Sequence, residues 1–407
     1  MTVRNPFPSR LLAAGLLRAE TSREGDRATT LELFFDLVYV FAFTQVSALM
    51  AEGHDGISVL HGVVVLALIW WSWTSYAWLA NQAHADAGVV RVAIILAIAL
   101  MFLVSLVIPE TYDDLEGGLF APMVFVVAYV AVRVVHAVAY VIAAGSDTGL
   151  RRQVIVSMGA ALLPSSALLV IGAMVGAPYQ VWIWLVAIAL DLVVVYLTSH
   201  EGNWRLNSAA HAAERHGLVV ILALGESVVA IGIGVAHEPV STSIIIGSML
   251  AVALAIGLWW VYFHHLAPKT EHQVAQISGV QRAALATDVY TYLHLALVAG
   301  VVIAALGVEQ AMHAIEQPEA LGLFGACALG GGVGLYLAGT GFIWRRAGGE
   351  WALIRFAGAT LCLLLVAVLA VLPAIAGLGV IAAVAGLVAG AEQVLGARAK
   401  LAGRPAA

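Results

Sequence analysis

The 407-residue chain is 62% hydrophobic and 11% charged, with a mean hydropathy of +0.96, whereas a soluble domain carries about a quarter charged residues. That excludes an ordinary soluble fold and points to a polytopic membrane protein. The two cysteines, Cys327 and Cys362, both sit inside apolar runs, which speaks against a disulfide framework or a metal-ligand cluster; the net charge of −6 carries less information than where the Lys and Arg fall.

In chain order, residues 1–28 hold Arg4, Arg10, Arg18, Arg23 and Arg27 around the apolar patch Leu11–Leu17. The patch is too short to span and no small-residue cleavage site precedes the first long run, so a cytoplasmic amphipathic arm on the inner membrane surface is expected. A span needs about 20 apolar residues, and Pro, Gly and charge punctuate the rest into about twelve of them. They run 30–51, 57–80, 89–109, 119–144, 153–176, 179–199, 214–235, 241–266, 282–307, 320–343, 351–372 and 374–396, the last break resting on Pro373 and nearby glycines.

Charge tests that count, because one missed helix would invert every later loop. With both termini cytoplasmic, the inner loops and tails collect the arginines of the arm, Arg151, Arg152, Arg205, Lys269, Arg345, Arg346, Arg398, Lys400 and Arg404. Outer loops carry acids instead, among them Glu52, Asp55, Glu110, Asp113, Asp114, Glu116, Glu238, Glu309, Glu316 and Glu319. This one-sidedness follows the positive-inside rule.

The chain also repeats. Asp36 matches Glu226, Trp70-Trp71 match Trp259-Trp260, and Gly88-Val89-Val90-Arg91 matches Gly279-Val280-Gln281-Arg282, all on one diagonal, with a weaker match of Asp191 to Glu392. An even number of spans per half makes the halves parallel. The expected architecture is all-α, with about twelve transmembrane helices as two parallel six-helix repeats, 29–198 and 214–397. A cytoplasmic linker 199–213 joins them and a cytoplasmic tail 398–407 follows.

Acids inside spans are costly and face a protein interior, a partner or water. Glu32 and Asp36 share a helix face by their spacing of four, and Glu226 is placed at the level of Asp36 by the repeat. The same alignment pairs Asp36 with Arg91 and Glu226 with Arg282. Arg133 and His136, three apart, can meet Asp191 or Glu32. In span nine Asp288, Thr291 and Tyr292 lie on one face, and Tyr290 and His294 on another. His264, His265 and His272 fall at the inner end of span eight, with no metal constellation. The aromatic run from Trp70 to Trp78 reads as an interfacial belt in its later part, with Trp70 and Trp71 deeper. Gly330, Gly331, Gly332, Gly334, Gly339 and Gly341 read as close-packing surfaces.

Leu31 to Gln45, LELFFDLVYVFAFTQ, and Glu214 to Gly234, ERHGLVVILALGESVVAIGIG, resemble the bacterial low temperature requirement protein A family across residues 25 to 395 or so. Carried onto matching positions, its signature residues are Glu32, Asp36 and Gln45, then Glu214, His216, Gly217, Gly225, Glu226 and Ser227. The resemblance implies a multi-pass membrane protein associated with growth in the cold. It transfers no catalytic role.

The expected function is a permease or channel-like transporter in the bacterial cytoplasmic membrane, moving a proton, cation or small solute through an interior lined by Asp36 and Glu226. Glu32, Arg91, Arg282, Arg133, Asp191, Asp288, His216, Gln45 and Ser227 complete the transport or ion-binding candidates. The alternatives are an inner-leaflet enzyme acting on lipid or isoprenoid and a noncatalytic scaffold; a non-enzymatic role is preferred. No catalytic residue, metal or cofactor is assigned. The partners expected are the lipid bilayer and a small ion or solute, not nucleic acid, and a homo-oligomer is compatible with the sequence.

Overall fold

A computed structural model describes residues 21–199, 204–236, 238–316 and 320–401. Outside them lie most of the amino-terminal arm with Arg4, Arg10, Arg18 and Leu11–Leu17, residues 200–203 of the linker, Glu319, and residues 402–407 of the tail.

The described residues form helices and no named strand, with two isolated bridges, Thr21 to Ala83 and Ala320 to Pro373. Twelve continuous helices follow in order. The first six are α1 (Thr30–Glu52), α2 (Gly56–Gln82), α3 (Gly88–Leu106), α4 (Ala121–Ala143), α5 (Thr148–Val175) and α6 (Gln180–Ser199). The second six are α7 (Ala209–Gly234), α8 (Thr242–Gln276), α9 (Gly279–His313), α10 (Gly322–Arg346), α11 (Leu353–Leu369) and α12 (Ala374–Leu401). Each expected span falls on one of them, and the break at Pro373 stands between α11 and α12.

Eleven of these helices are long and apolar enough to cross a membrane; α11, with 17 residues, is shorter. In hydrocarbon a backbone must satisfy its own hydrogen bonds, which is why a chain so poor in charge folds as helices. Leu163, Met174, Leu364 and Leu387 are each at least 70% exposed, the outward apolar surface that a lipid-facing helix needs and a soluble monomer avoids.

The helix ends follow from local chemistry. The side chains of Asp147 and Ser241 accept from the backbone N–H groups of Leu150 and Ile244 at 3.0 and 3.1 Å, capping α5 and α8. At α2, Asp55 accepts from the Ser58 N–H at 2.8 Å and from its hydroxyl at 3.0 Å. These bonds hold the Asp55 carboxyl below its ordinary pKa. The cap is therefore fully formed above the unfolded-state value and is lost as pH falls through the lower folded one.

Two helices differ from plain α geometry. Within α8, Tyr262–Leu266 is a π segment, and within α9, Thr287–Leu293 is another. The sequence reading ended these spans near 266 and 307, but α8 runs on to Gln276 and α9 to His313. Glu309, expected in an outer loop, is consequently inside α9 and 7% exposed.

The chain divides into two compact units. The first comprises the described parts of Met1–Ala42, Ala67–Glu214 and Ser278–Ala284; the second comprises Phe43–Leu66, Arg215–Ile277 and the described part of Leu285–Ala407. The division runs through α1, α2, α7 and α9, so residues 43–66 belong with the second unit. In the first unit Trp184 lies on Gly172 of α5 and donates to the Leu169 carbonyl at 2.9 Å. In the second, α9 and α10 meet backbone to backbone. A Cβ at Gly332 would stand 2.3 Å from the Ala304 nitrogen, and one at Gly307 would stand 2.3 Å from that of Leu329. Small residues permit this approach between membrane helices, as expected for Gly332 of span ten; a Cβ at Gly331, expected to pack closely as well, would meet nothing within 4 Å.

Candidate functional site

In the first unit the two acids of α1 differ in their surroundings. Glu32 is 1% exposed and ends the first turn of the helix. Its Oε2 accepts from the Thr29 N–H at 2.8 Å and the Thr29 hydroxyl at 3.0 Å, while the Glu32 N–H donates to Thr29 Oγ1 at 3.3 Å. That is a capping box, a Thr and a Glu three apart that satisfy each other's backbone donors. Its other oxygen lies 2.8 Å from His211 Nε2. His211 also meets Asn81, which donates to the Ser208 carbonyl at 2.7 Å and accepts from the Asn207 N–H at 2.7 Å. Glu32 therefore fastens the start of α1 to the start of α7. Glu32→Ala is expected to cost about 1 kcal/mol or more through the lost cap, read as a lower melting temperature in detergent.

Asp36 is buried one turn further on. Trp73 of α2 donates its indole N–H to Asp36 Oδ1 at 2.8 Å and stacks on Trp70, with ring centroids 5.1 Å apart. Beside them, Tyr39 and Ser72 are hydrogen-bonded at 3.1 Å, and Tyr76 donates to the Val132 carbonyl at 3.0 Å. Trp73 and Tyr76 are 1% and 2% exposed. This corrects the reading of the later aromatic run as an interfacial belt, which would place them against lipid headgroups; they pack inward, one holding a carboxylate.

The basic candidates also separate. Arg133 of α4 donates to Asp191 of α6 at 2.7 and 3.3 Å and to the Tyr129 hydroxyl at 3.3 Å, a fully buried bidentate pair. Of the two partners expected for Arg133, the structure selects Asp191. His136, one turn on, packs against Tyr76 and Tyr140. Arg91 is exposed on α3, and Arg282 engages Glu24. The pairs expected from the repeat, with Asp36 and Glu226, are replaced by these arrangements.

In the second unit Glu226 is 1% exposed. Its Oε2 accepts from the Thr44 hydroxyl at 2.7 Å, and its Oε1, also buried, has no hydrogen-bond partner. Thr44 was passed over for its neighbour Gln45, which is half-buried in the same unit; Ser227 is buried. Glu226 stands seventeen residues after Ala209, whereas Asp36 stands six after Thr30, about 26 and 9 Å along their helices. Asp36 thus lies in the second turn of α1, and Glu226 in the later half of α7.

Nearer the start of α7, His216 packs on Tyr290 at 4.6 Å and on His294 at 5.1 Å between ring centroids. His294 Nε2 lies 2.9 Å from the Tyr262 hydroxyl and its Nδ1 2.7 Å from the Val289 carbonyl. Tyr262 opens one π segment and Tyr290 sits in the other, so both π turns deliver side chains to one buried imidazole and phenol cluster. Such turns commonly mark functional positions. Asp288, in the same π segment as Tyr290, pairs instead with Arg346 at 2.7 Å.

Arg355 of α11 pairs with Glu392 of α12 at 2.5 and 3.0 Å and also donates to the Thr340 and Val261 carbonyls. The pair borders a cavity of about 480 Å³ lined in part by His264, His265, Trp344 and Trp351. Among the described residues no group of three His, Cys, Asp or Glu is placed to hold a metal ion.

The sequence reading missed Trp73, Thr44, His211 and Tyr262 as partners. Only Glu32 carried a visible signal of its role, the Thr29-x-x-Glu32 spacing of a capping box. The others are neutral or aromatic residues that acquire meaning from the helix facing them.

An uncharacterized protein of Rhizobium meliloti (strain 1021) is 27% identical over 345 residues, covering 81% of this chain and 79% of that one. A family model described as bacterial low temperature requirement A protein matches residues 27–390, from ahead of α1 into α12. With its many apolar helices this is a multi-pass membrane protein, and the chain belongs to the bacterial low temperature requirement A family.

Proposed function

We propose that this protein is a permease or channel-like transporter of the bacterial cytoplasmic membrane. It moves a proton, cation or small solute through a polar interior to which Glu226 and Asp36 contribute, with both termini in the cytoplasm. The observation that carries the reading is the Glu226 carboxylate, buried within α7 with one oxygen unmatched. A structural lock is built from paired charges, as at Arg133 with Asp191 and Arg355 with Glu392. Glu226 meets a hydroxyl and, among the described residues, no cation. An uncompensated buried acid in a membrane helix is costly, and binding a mobile cation or proton relieves that cost.

Two parallel six-helix repeats remain the preferred layout. In its support, a glycine with positive φ opens both α3 and α9, Gly88 at 49° and Gly279 at 64°. Similar glycines, Gly145 and Gly348, follow α4 and α10. Only glycine takes this backbone region without penalty, so matching turns recur at matching places. The absence of Lys and Arg from the loops on one side supports the orientation.

Reconstituted protein under an imposed pH or cation gradient tests the function. The parent chain is expected to carry flux, and Glu226→Gln to reduce it about tenfold or more with an unchanged melting temperature; Asp36→Asn, which keeps a Trp73 acceptor, should have a smaller effect. A folded parent inert toward a broad panel of ions and solutes overturns the reading. The second reading, an inner-leaflet lipid or isoprenoid enzyme, is favoured by the cavity beside Arg355 and Glu392, and its mark is turnover of a lipid extract by the purified chain.

A further inference from the structure

Residues of α8, α10, α11 and α12 line the cavity of about 480 Å³ in the second unit. Arg355 in its wall is buried and already matched by Glu392, so two other cations set its character. Lys269 Nζ lies 3.6 Å from the ring centroid of Trp344, and the Arg345 guanidinium carbon 5.6 Å from that of Trp351; both indoles line the cavity. Arg345 donates to the Gly349 carbonyl at 3.4 Å, and among the described residues neither cation is in an ion pair. Glu350, the acid whose charge reaches Lys269, is exposed and makes no ion pair with it. His264, exposed on the same wall, stacks on Trp260 at 5.0 Å. From Leu395, which borders this cavity, an apolar groove of about 460 Å³ runs back along α12 to Gly386. A Cβ at Gly386 or Gly390 would meet nothing within 4 Å, so the groove stands open. The nine steps from Gly386 to Leu395 measure about 14 Å, against about 15 Å of hydrocarbon in one leaflet. The groove fits an acyl chain, and the rim fits a phosphate.

We propose that the second unit binds one anionic glycerophospholipid of the inner leaflet. Its phosphodiester lies against Lys269, Arg345 and His264, and one acyl chain lies along α12 between Gly386 and Leu395. Trp344 and Trp351 stand at the glycerol level, the usual place of tryptophan at a membrane interface. Basic residues mark this end of the unit as the inner one, where anionic lipids attract them. The cavity that favours the enzyme reading is thus a binding site for intact lipid, and neither flux nor turnover is needed. Only the choice of leaflet rests on the proposed orientation; binding itself does not.

The test is native mass spectrometry of the full chain in detergent, titrated with phosphatidylglycerol or with phosphatidylcholine. The parent is expected to retain phosphatidylglycerol about tenfold more tightly, as two cations near a lipid phosphate imply. The double variant Lys269→Gln, Arg345→Gln should lower that affinity to the phosphatidylcholine level. Gly390→Leu, which fills the groove, should weaken both lipids by about tenfold through lost acyl contact. Melting temperatures in lipid-free detergent control for folding in each variant. Equal retention of the two lipids by the folded parent overturns the inference, as does a preference that survives in the folded double variant. Displacement of the lipid by inorganic phosphate at equal concentration would reveal an anion pocket without an acyl chain and overturns it too. Flux is not read here, so the transporter reading stands or falls separately.

Discussion

Gly332→Val is expected to leave little folded protein in the membrane. A Cβ there would stand 2.3 Å from the Ala304 nitrogen, 2.7 Å from the Gly300 carbonyl oxygen and 2.8 Å from the Ala304 Cα. All three are backbone atoms of α9, so no rotamer change yields space, and the helices must separate. The contact is reciprocal, since a Cβ at Gly300 would meet the Tyr336 nitrogen at 2.6 Å. Overpacking in a core that can adjust costs about 1–3 kcal/mol. Here the loss should exceed about 4 kcal/mol, the range reserved for gross disruption. Gly331→Ala provides the control on the same helix. A Cβ at Gly331 meets nothing within 4 Å, and alanine favours the helix by about 0.5–1 kcal/mol. Yield and melting temperature in detergent check both, and equal losses at the two positions would show that the backbone contact is not what matters.

Arg133→Met should be the next most damaging change. It leaves Asp191, with a side chain 1% exposed, as a buried charge without its bidentate partner, and breaking a buried pair on one side costs about 3–5 kcal/mol. The double variant Arg133→Met, Asp191→Leu removes both charges and should regain most of that loss, because a buried pair gives little net stability over apolar residues of similar size. The coupling is read from the four melting curves of the cycle. Should the double variant melt like the parent but fail to transport, Arg133 and Asp191 would belong to the pathway instead of the scaffold.

How much of this was legible depended on the kind of information each feature needs. The spans, and the break at Pro373, are written in runs of apolar residues, because hydrocarbon admits only continuous helices. The Arg133 and Asp191 pair was half legible: a deep arginine needs an acid, and few deep acids exist to choose among. The cap made by Glu32 was overlooked although Thr29 announces it, because the cost of the acid in lipid was weighed before its place in the first turn. Thr44 and Trp73 were out of reach. A threonine or tryptophan in an apolar helix is common, and only the rotation of α1 against α7 or α2 turns one into a ligand for a carboxylate. Glu309 was misread because polar residues near a helix end look like a loop, while α9 carries its hydrogen bonding on to His313.

The two π segments have an arithmetic consequence. A π turn accommodates one residue more than an α turn, and each residue of an α-helix turns the chain by about 100°. Deleting a single residue within Thr287–Leu293 would restore α pitch, change the length of α9 by only about 1.5 Å, and leave its hydropathy untouched. It would also swing everything on one side of the deletion by that angle relative to the other, and His294 could no longer face both Tyr262 and His216. The register of this imidazole is thus set by one surplus residue, so a relative whose chain is one residue shorter here would keep every span and lose the cluster.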